Sequence, residues 1–359
     1  MSADVGLASE RPVSDRGAGP GRGLLIAGAV VAAVAAIAYI AALATQPAAS
    51  LLKGFDLSVY LGGAGEALHH PAQLYSWKYE GLPGIQFTYP PFAALLFTLG
   101  RALPLRALLG LVALVSTFSL LATAWIAFRE LGWRSLVTRA GATLLVGGLT
   151  FWTEPVQRGL YLGQIELALM ALVTWDLCQP GGRKWKGAAT GVATGVHVVP
   201  GLFIVYLLLT RRFREACVAI GAFAATVAVG FAVLPAPSVT YWIDGDFFQA
   251  GRTGFVGVFQ NQSLRGVLTR FIGSVNGAML PWLVLAVLVL VAGMAAAVVL
   301  HNSGWEFAGL MACALTALLV SPITWDHYWV WIAPGLALII DAAVRVGRAA
   351  GWVALAPAG

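Results

Sequence analysis

Asp56 stands in GFDLSVYLGGA (54–64), within the one long polar-flecked stretch, 54–91, of an otherwise apolar chain. A lone carboxylate there has two readings: a general base that takes a proton from a hydroxyl, or the N-terminal cap and dipole partner of a helix. The same stretch holds Glu66, Lys78, Glu80, the pair His69 and His70, and aromatics that include Tyr60 and Tyr89. Glu66 reads as a solvated charge and the histidines as loop residues before Pro71, while FTYPP (87–91) places Pro91 at a first helical position. Three further polar nicks interrupt apolar runs. SPITWDHYW (321–329) sets Asp326 beside His327 among aromatics, which fits either an interfacial belt or substrate binding. Arg158, Gln164 and Glu166 cluster around 155–164. His197 lies mid-way along an apolar run, where an ionisable group is costly and faces a polar cavity. NQS (261–263) matches a glycosylation pattern but reads better as hydrogen-bonding groups, Asn261 first, on the cavity side.

The elements that must position these groups are membrane helices. Of 359 residues, 59% are hydrophobic and 11% charged, too little polar surface to cover a soluble globule. Apolar runs near the ~20 residues needed to cross ~30 Å of hydrocarbon recur from 24 to 345. The fold expected is an all-α polytopic membrane protein with one domain, 24–348, between cytoplasmic tails at 1–23 and 349–359. The net charge of +6 raises nucleic acid as a partner, but the basic residues sit in short clusters at the ends of apolar runs, the positive-inside pattern. Cys178, Cys217 and Cys313 are odd in number, lie in or beside apolar runs and lack metal-ligand spacing. There is no GxGxxG after a strand, no Walker loop and no HExxH, so soluble nucleotide binding has no support.

Basic clusters at 129–139, 183–186, 211–214 and 345–348 fix the order of crossings. With Arg11, Arg16 and Arg22 inside, 24–45 exits and 46–90 forms a first external loop, in which Leu57, Tyr60, Leu61, Ala64 and Leu68 recur at the spacing of an interfacial helix. The 91–103 run is too short to cross and reads as partial, so that 91–128 crosses once. The runs 137–153 and 164–179 follow, joined by a short link at 155–163. The run 187–210 has basic residues at both ends, and a break near His197 and Pro200 keeps both inside. Broken helices are tolerated only against protein or a water-filled cavity. A second external loop spans 235–277 and, after helices at 278–300 and 306–320, the 321–329 motif lies on that same external side.

GFDLSVYLGGA, LYSW, FTYPPFAALLF, GQIEL, VHVVPGLF, FQNQSLRG and SPITWDHYW, in this order over about residues 50–335, resemble the actinobacterial polyprenyl-phosphate-mannose-dependent α-(1→2)-mannosyltransferases of the GT-C glycosyltransferase superfamily. The resemblance implies a GT-C-like bundle of about 10–12 membrane helices, short and broken ones included, with amphipathic interfacial helices in the external loops. It implies a polyprenyl-phosphate mannose donor, a glycolipid or lipoglycan acceptor such as a phosphatidylinositol mannoside or lipomannan, and an active site on the external face of the plasma membrane. The family's catalytic aspartate falls on Asp56 and its histidine in the last motif on His327. Relatives commonly carry Lys where His197 stands and Asn where Glu166 stands, and both are departures.

Mannose linked β to phosphate and an α product mean inversion. Inversion needs one base, for which Asp56 is the natural choice, with help of ~10²–10⁴ in rate. The departing phosphate needs cations or hydrogen-bond donors, for which His327, His197, Arg158 and Arg265 are candidates. Tyr60, Tyr89, Gln164, Glu166, Asn261 and Asp326 are the remaining candidates for donor or acceptor contacts. No cofactor is expected, and the external segments hold no dense carboxylate cluster that calls for a metal. The competing readings are a transporter or flippase of a lipid-linked sugar, which also uses broken helices and buried polar groups, and a GT-C transferase of another sugar such as arabinose.

Overall fold

α1 (Ala18–Thr45) opens a computed structural model that describes residues 18–45, 51–80, 85–249, 252 and 254–355. It starts inside the segment expected as a tail, whose Arg11 and Arg16 lie outside the described residues. α2 (Phe55–His69) is the helix expected in the first external loop, and it buries Leu57, Tyr60 and Ala64. α3 (Pro91–Gly100) starts on Pro91, and its ten residues rise only about 15 Å, half the hydrocarbon core. α4 (Leu105–Glu130) is long and apolar enough for a full crossing, and the shorter apolar α5 (Leu136–Phe151) packs against it. α5 packs on α1 through small residues: a Cβ on Gly28 would lie 2.1 Å from Gly141 O, so the two backbones touch.

The 155–163 segment, expected as a link, is a helix. α6 (Glu154–Leu162) lies at 116° to α7 (Glu166–Leu177) because Gly163, in the left-handed region at φ 76°, ends it. A side chain at Gly163 is barred twice over, by φ and by space, since a Cβ would meet Leu57 Cβ at 2.8 Å. The break at His197 occurs as the charge pattern requires. α8 (Ala188–Val196) stops at His197, which is extended at φ −144° and ψ 123°, and α9 (Gly201–Leu209) begins after Pro200. Asp176 anchors the start of α8 by accepting from Gly187 N (2.9 Å), Thr190 N (2.9 Å) and Thr190 Oγ1 (2.7 Å), which satisfies donors that a helix N-terminus leaves open. Gly187, just before α8, and Gly191 on it meet the backbone of α10 (Phe213–Val233) at Glu215 O and Ala219 O, and Gly195 meets the Thr226 side chain.

The segment 235–277, expected as a second external loop, is itself structured, with α11 (Pro235–Ser238), short turns at Val239–Ile243 and Asp246–Phe248, and α12 (Leu264–Ile272). α13 (Met279–Asn302), α14 (Glu306–Val320), a tight turn at Asp326–Trp331 and α15 (Ile332–Leu355) complete the chain. α15 continues through part of the segment expected as the C-terminal tail, and 356–359 lie outside the described residues. Among the described residues five helices are long and apolar enough to cross a membrane, six if α6 and α7 count as one bent span. Shorter apolar helices and half-helices pack between them, and the described residues form no strand beyond two isolated bridges, so the protein is an all-α, multi-pass membrane protein.

Charge separates the two ends of this bundle. Arg129 donates to Cys178 O (2.7 Å), Arg212 to Leu177 O (3.5 Å), and Arg345 to Leu131 O (2.9 Å) and Asp341 (2.7 Å), which gathers four basic clusters at one end. Asp56, Arg158, Gln164, Asp326 and His327 meet at the other, around a shared cavity.

Candidate active site

Two backbone bonds seat α2 on α6: Lys53 N and Gly54 N both donate to Tyr161 O, at 3.0 and 2.9 Å. Gly54 is the residue before α2, left-handed at φ 65°, and a Cβ there would strike Leu109 at 2.7 Å. With glycine in the capping position, Asp56 sits in the first helical turn and its carboxylate is turned elsewhere: Oδ2 accepts from Gln164 Nε2 at 2.5 Å. Gln164 is held in the αL-bounded corner between α6 and α7 and accepts from Tyr60 Oη at 2.7 Å. Tyr60 Oη lies 3.0 Å from Tyr89 Oη, and Tyr89 Oη lies 3.4 Å from Glu166 Oε1.

The opposite wall is the 321–329 motif, fixed by Asn261. This residue is fully buried: its Nδ2 donates to Val256 O (2.9 Å), and its Oδ1 accepts from Ser263 N (3.2 Å) and Thr324 N (3.0 Å). Gln262 N donates to Thr324 O (2.7 Å) and Asp326 N to Gln260 O (2.9 Å), so the 235–277 segment clamps the motif through its backbone. Asp326 Oδ1 in turn accepts from His327 N (2.8 Å) and lies 3.2 Å from His327 Nδ1, which orients the ring. The other ring nitrogen, Nε2, has no hydrogen-bond partner among the described residues. Arg158 Nε lies 3.9 Å from Asp326 Oδ2 and is likewise without a hydrogen bond.

Asp56, Tyr60, Arg158, Gln164, Asp326 and His327 border one cavity of about 260 Å³. A second of about 340 Å³ adjoins it across Thr88, Tyr89, Arg252 and Tyr328, and is otherwise largely apolar. His197 is on the wall of this second cavity, packed between Tyr89 and Tyr328 with Nε2 3.2 Å from Tyr328 Oη. Burial pushes the Asp56 carboxyl above the usual carboxylate range, a shift opposed by the facing His327, the Gln164 hydrogen bond and Arg158. Burial also drives the phenols of Tyr60 and Tyr89 well above their ordinary range, so both act as neutral hydroxyls.

Three of the residues singled out in the sequence stand elsewhere. Asn261 and Arg265 border neither cavity: the first is a structural clamp, and the second, buried on α12, lies over the Trp282 ring at 5.1 Å. Glu166 sits behind Tyr89 against a gap of about 40 Å³. Conversely, Arg252 and Tyr328 line both cavities and were not singled out. Tyr328 follows directly on His327 in a motif already flagged. Arg252 is paired with Asp246 and donates to Tyr75 O, contacts that no sequence spacing announces. Glu66 and His70 pair at 3.4 Å on an exposed face of α2, away from the cavity. Among the described residues no group of three His, Cys, Asp or Glu side chains is arranged to hold a metal ion.

A carboxylate with one oxygen engaged, facing an arginine and an imidazole across a cavity of sugar-ring size, can take a proton on one side and meet an anion on the other. The family described as glycosyltransferase family 87 matches residues 87–322. A relative from Mycobacterium tuberculosis (strain CDC 1551 / Oshkosh) is 34% identical over 313 residues, 83% of this chain and 69% of its own length. It is named a polyprenol-phosphate-mannose-dependent α-(1-2)-phosphatidylinositol pentamannoside mannosyltransferase. One of the same name from Mycolicibacterium smegmatis (strain ATCC 700084 / mc(2)155) is 32% identical, covering 83% of this chain and 72% of the relative. Another from M. tuberculosis (strain ATCC 25618 / H37Rv), named for phosphatidylinositol mannoside, is 30% identical over 78% of this chain and 65% of its own. No solved structure matches.

Proposed function

The chain belongs to glycosyltransferase family 87, and from that premise we propose that it transfers mannose from polyprenyl-phosphate mannose to a mannose hydroxyl of a phosphatidylinositol mannoside or related lipoglycan, forming an α-(1→2) linkage. The observation that carries this reading is the meeting of Asp56, Arg158 and His327 on one cavity at the end of the bundle opposite the basic clusters.

The acceptor hydroxyl lies against Oδ1 of Asp56, the oxygen not bonded to Gln164. As its oxygen bonds to the anomeric carbon, its proton passes to Asp56, and the bond from that carbon to the phosphate oxygen breaks on the far side. The electron pair leaves with the polyprenyl phosphate, a stable anion that needs no acid. Arg158 and the partnerless Nε2 of His327 receive the growing negative charge. The oxocarbenium-like centre forms between these groups and Asp56. The apolar second cavity accommodates the first isoprene units of the donor. With the basic clusters taken as the cytoplasmic end of the bundle, the reading has this cavity open to the external face of the plasma membrane.

The test is mannosyl transfer by the purified protein in lipid nanodiscs, with polyprenyl-phosphate mannose and a panel of phosphatidylinositol mannosides. The expected product is an acceptor extended by one mannose, with the linkage assigned by NMR. Transfer of a different sugar, or none from polyprenyl-phosphate mannose to any acceptor, would overturn the proposal.

A further inference from the structure

We propose that Glu166 is held as a neutral carboxylic acid at the far end of a directed hydrogen-bond chain whose near end is the ionised Asp56, so that it serves as a positioning residue for that carboxylate. The inference follows from counting hydrogens. Four contacts join the two acids: Asp56 to Gln164 (2.5 Å), Gln164 to Tyr60 (2.7 Å), Tyr60 to Tyr89 (3.0 Å) and Tyr89 to Glu166 (3.4 Å). Each needs one hydrogen.

An ionised carboxylate can only accept, so Gln164 must turn its Nε2–H towards Asp56 and leave Oε1 for Tyr60. The Tyr60 hydroxyl therefore donates to Gln164 and can only accept from Tyr89. That uses the single hydrogen of Tyr89. The last contact is then left with two oxygens and no hydrogen unless Glu166 supplies it, and a protonated Glu166 completes the chain with every hydrogen pointing towards Asp56. The opposite polarity, with Asp56 protonated, Gln164 reversed and Glu166 ionised, satisfies the same four contacts.

The surroundings choose between them. Asp56 faces Arg158 and His327 across the cavity. Glu166 is 8% exposed and, among the described residues, has no cation at ion-pair distance. The other titratable side chains that line its small gap are His197 and Tyr328, which are bonded to each other, and Tyr89 covers it from the cavity side. A buried carboxylate without a countercharge is far costlier than its acid form, so the proton stays on Glu166. The chain then makes the direction of each hydroxyl depend on the next, which fixes the carboxamide of Gln164 and hence the carboxylate rotamer of Asp56.

The positioning role rests on the reading of Asp56 as the base, whereas the protonation state of Glu166 does not. The experiment reads the two apart. In D2O-exchanged nanodiscs at neutral pH, wild type should show the infrared carbonyl band of a protonated carboxylic acid, retained in Asp56→Asn and missing from Glu166→Gln. In the transfer assay Glu166→Leu should lower kcat about tenfold with donor KM little changed, and Glu166→Gln, whose carboxamide N–H can donate to Tyr89 Oη, should restore most of the rate. Identical carbonyl bands in wild type and Glu166→Gln would mean an ionised Glu166, and would overturn the proposal whatever Asp56 does. A band lost instead in Asp56→Asn would establish the reversed polarity and overturn it too. Failure of Glu166→Gln to rescue the rate, with the band behaving as expected, would remove the positioning role.

Discussion

Gln164 bridges Asp56 and Tyr60, donating to one at 2.5 Å and accepting from the other at 2.7 Å, although Asp56 and Gln164 are 108 positions apart in the chain. A hydrogen bond to an ionised carboxylate stabilises the charged form. Gln164→Leu should therefore move the acid limb of the pH–rate profile to higher pH, because the unassisted Asp56 holds its proton more tightly. A loss of about tenfold or more in kcat at neutral pH accompanies it, in line with ~1.5–3 kcal/mol for a hydrogen bond to a charge. An unshifted acid limb in a well-folded Gln164→Leu protein would separate Gln164 from the chemistry.

His197 reaches the site through Tyr328, whose Oη lies 3.2 Å from its Nε2, and through the Tyr89 ring packed against it. Replacing it with leucine leaves a buried phenol hydroxyl without that partner, at a cost of ~1–3 kcal/mol, and loosens the wall between the two cavities. His197→Leu should lose most activity, with donor KM raised, while His197→Lys, which can still donate to Tyr328 Oη, retains much of it. Steady-state kinetics of both variants checks this. Equal, near-wild-type rates would make His197 a packing residue only.

Two arginines of the 235–277 segment part company in the structure. Arg252 lines both cavities, whereas Arg265 lines neither. Arg252→Gln should raise the donor KM severalfold through loss of a cation at the cavity junction, an effect of ~1 kcal/mol or more. Arg265→Gln should leave the donor KM within about twofold and act on stability instead. A titration of initial rate against donor concentration decides it. A larger KM effect from Arg265 would restore the assignment that the sequence suggested.

What could be read from the sequence was whatever a local pattern dictates. Basic residues at both ends of 187–210 demand an even number of half-crossings, and the chain duly breaks at His197. The thirteen-residue apolar stretch between two prolines cannot span a bilayer, and α3 is correspondingly short. The motifs 54–64, 155–164 and 321–329 stand out as candidate sites because polar groups in apolar runs carry a cost that needs a reason. Roles within them were less so. Whether Asp56 caps its helix depends on Gly54 taking the capping position, and whether Asn261 faces substrate depends on the backbone of Thr324, more than sixty residues away. The helix at 154–162 reads as a link in the sequence because its nine residues are too few to cross a bilayer and the charge pattern counts only crossings, although its buried positions Val156, Gly159 and Leu160 do recur at helical spacing.

The basic clusters converge on one end of the bundle through Arg129, Arg212 and Arg345, and the candidate site occupies the other. Lys184 and His70 are exposed at these opposite ends. In a background without Cys178, Cys217 and Cys313, a cysteine at His70 should react with an impermeant thiol reagent on intact cells. One at Lys184 should react only after the membrane is opened. The inverse pattern would turn the whole bundle over and place the site on the cytoplasmic face.

Asp56 carries the heaviest expectation. Asp56→Asn preserves shape and the contact to Gln164 but removes the proton acceptor, so kcat should fall about 10²-fold or more with apparent donor affinity little changed. His327→Ala should also cut the rate, with the larger effect on donor KM, since its free Nε2 is placed to meet an anion and not to take the hydroxyl proton. The pH dependence gives an independent check. Burial raises the Asp56 pKa above the ordinary carboxylate value of ~3.9, and a base works only when ionised. In wild type kcat/KM should thus decline as pH falls through that raised pKa, at a higher pH than a solvent-exposed aspartate would give, and the decline should vanish from the residual activity of Asp56→Asn. Yield and a monodisperse elution profile in detergent test folding separately. A well-folded Asp56→Asn protein that keeps more than about a tenth of the wild-type turnover is incompatible with a general base, whose removal costs ~10²-fold or more, and would leave Asp56 as a helix-dipole partner in the first turn of α2.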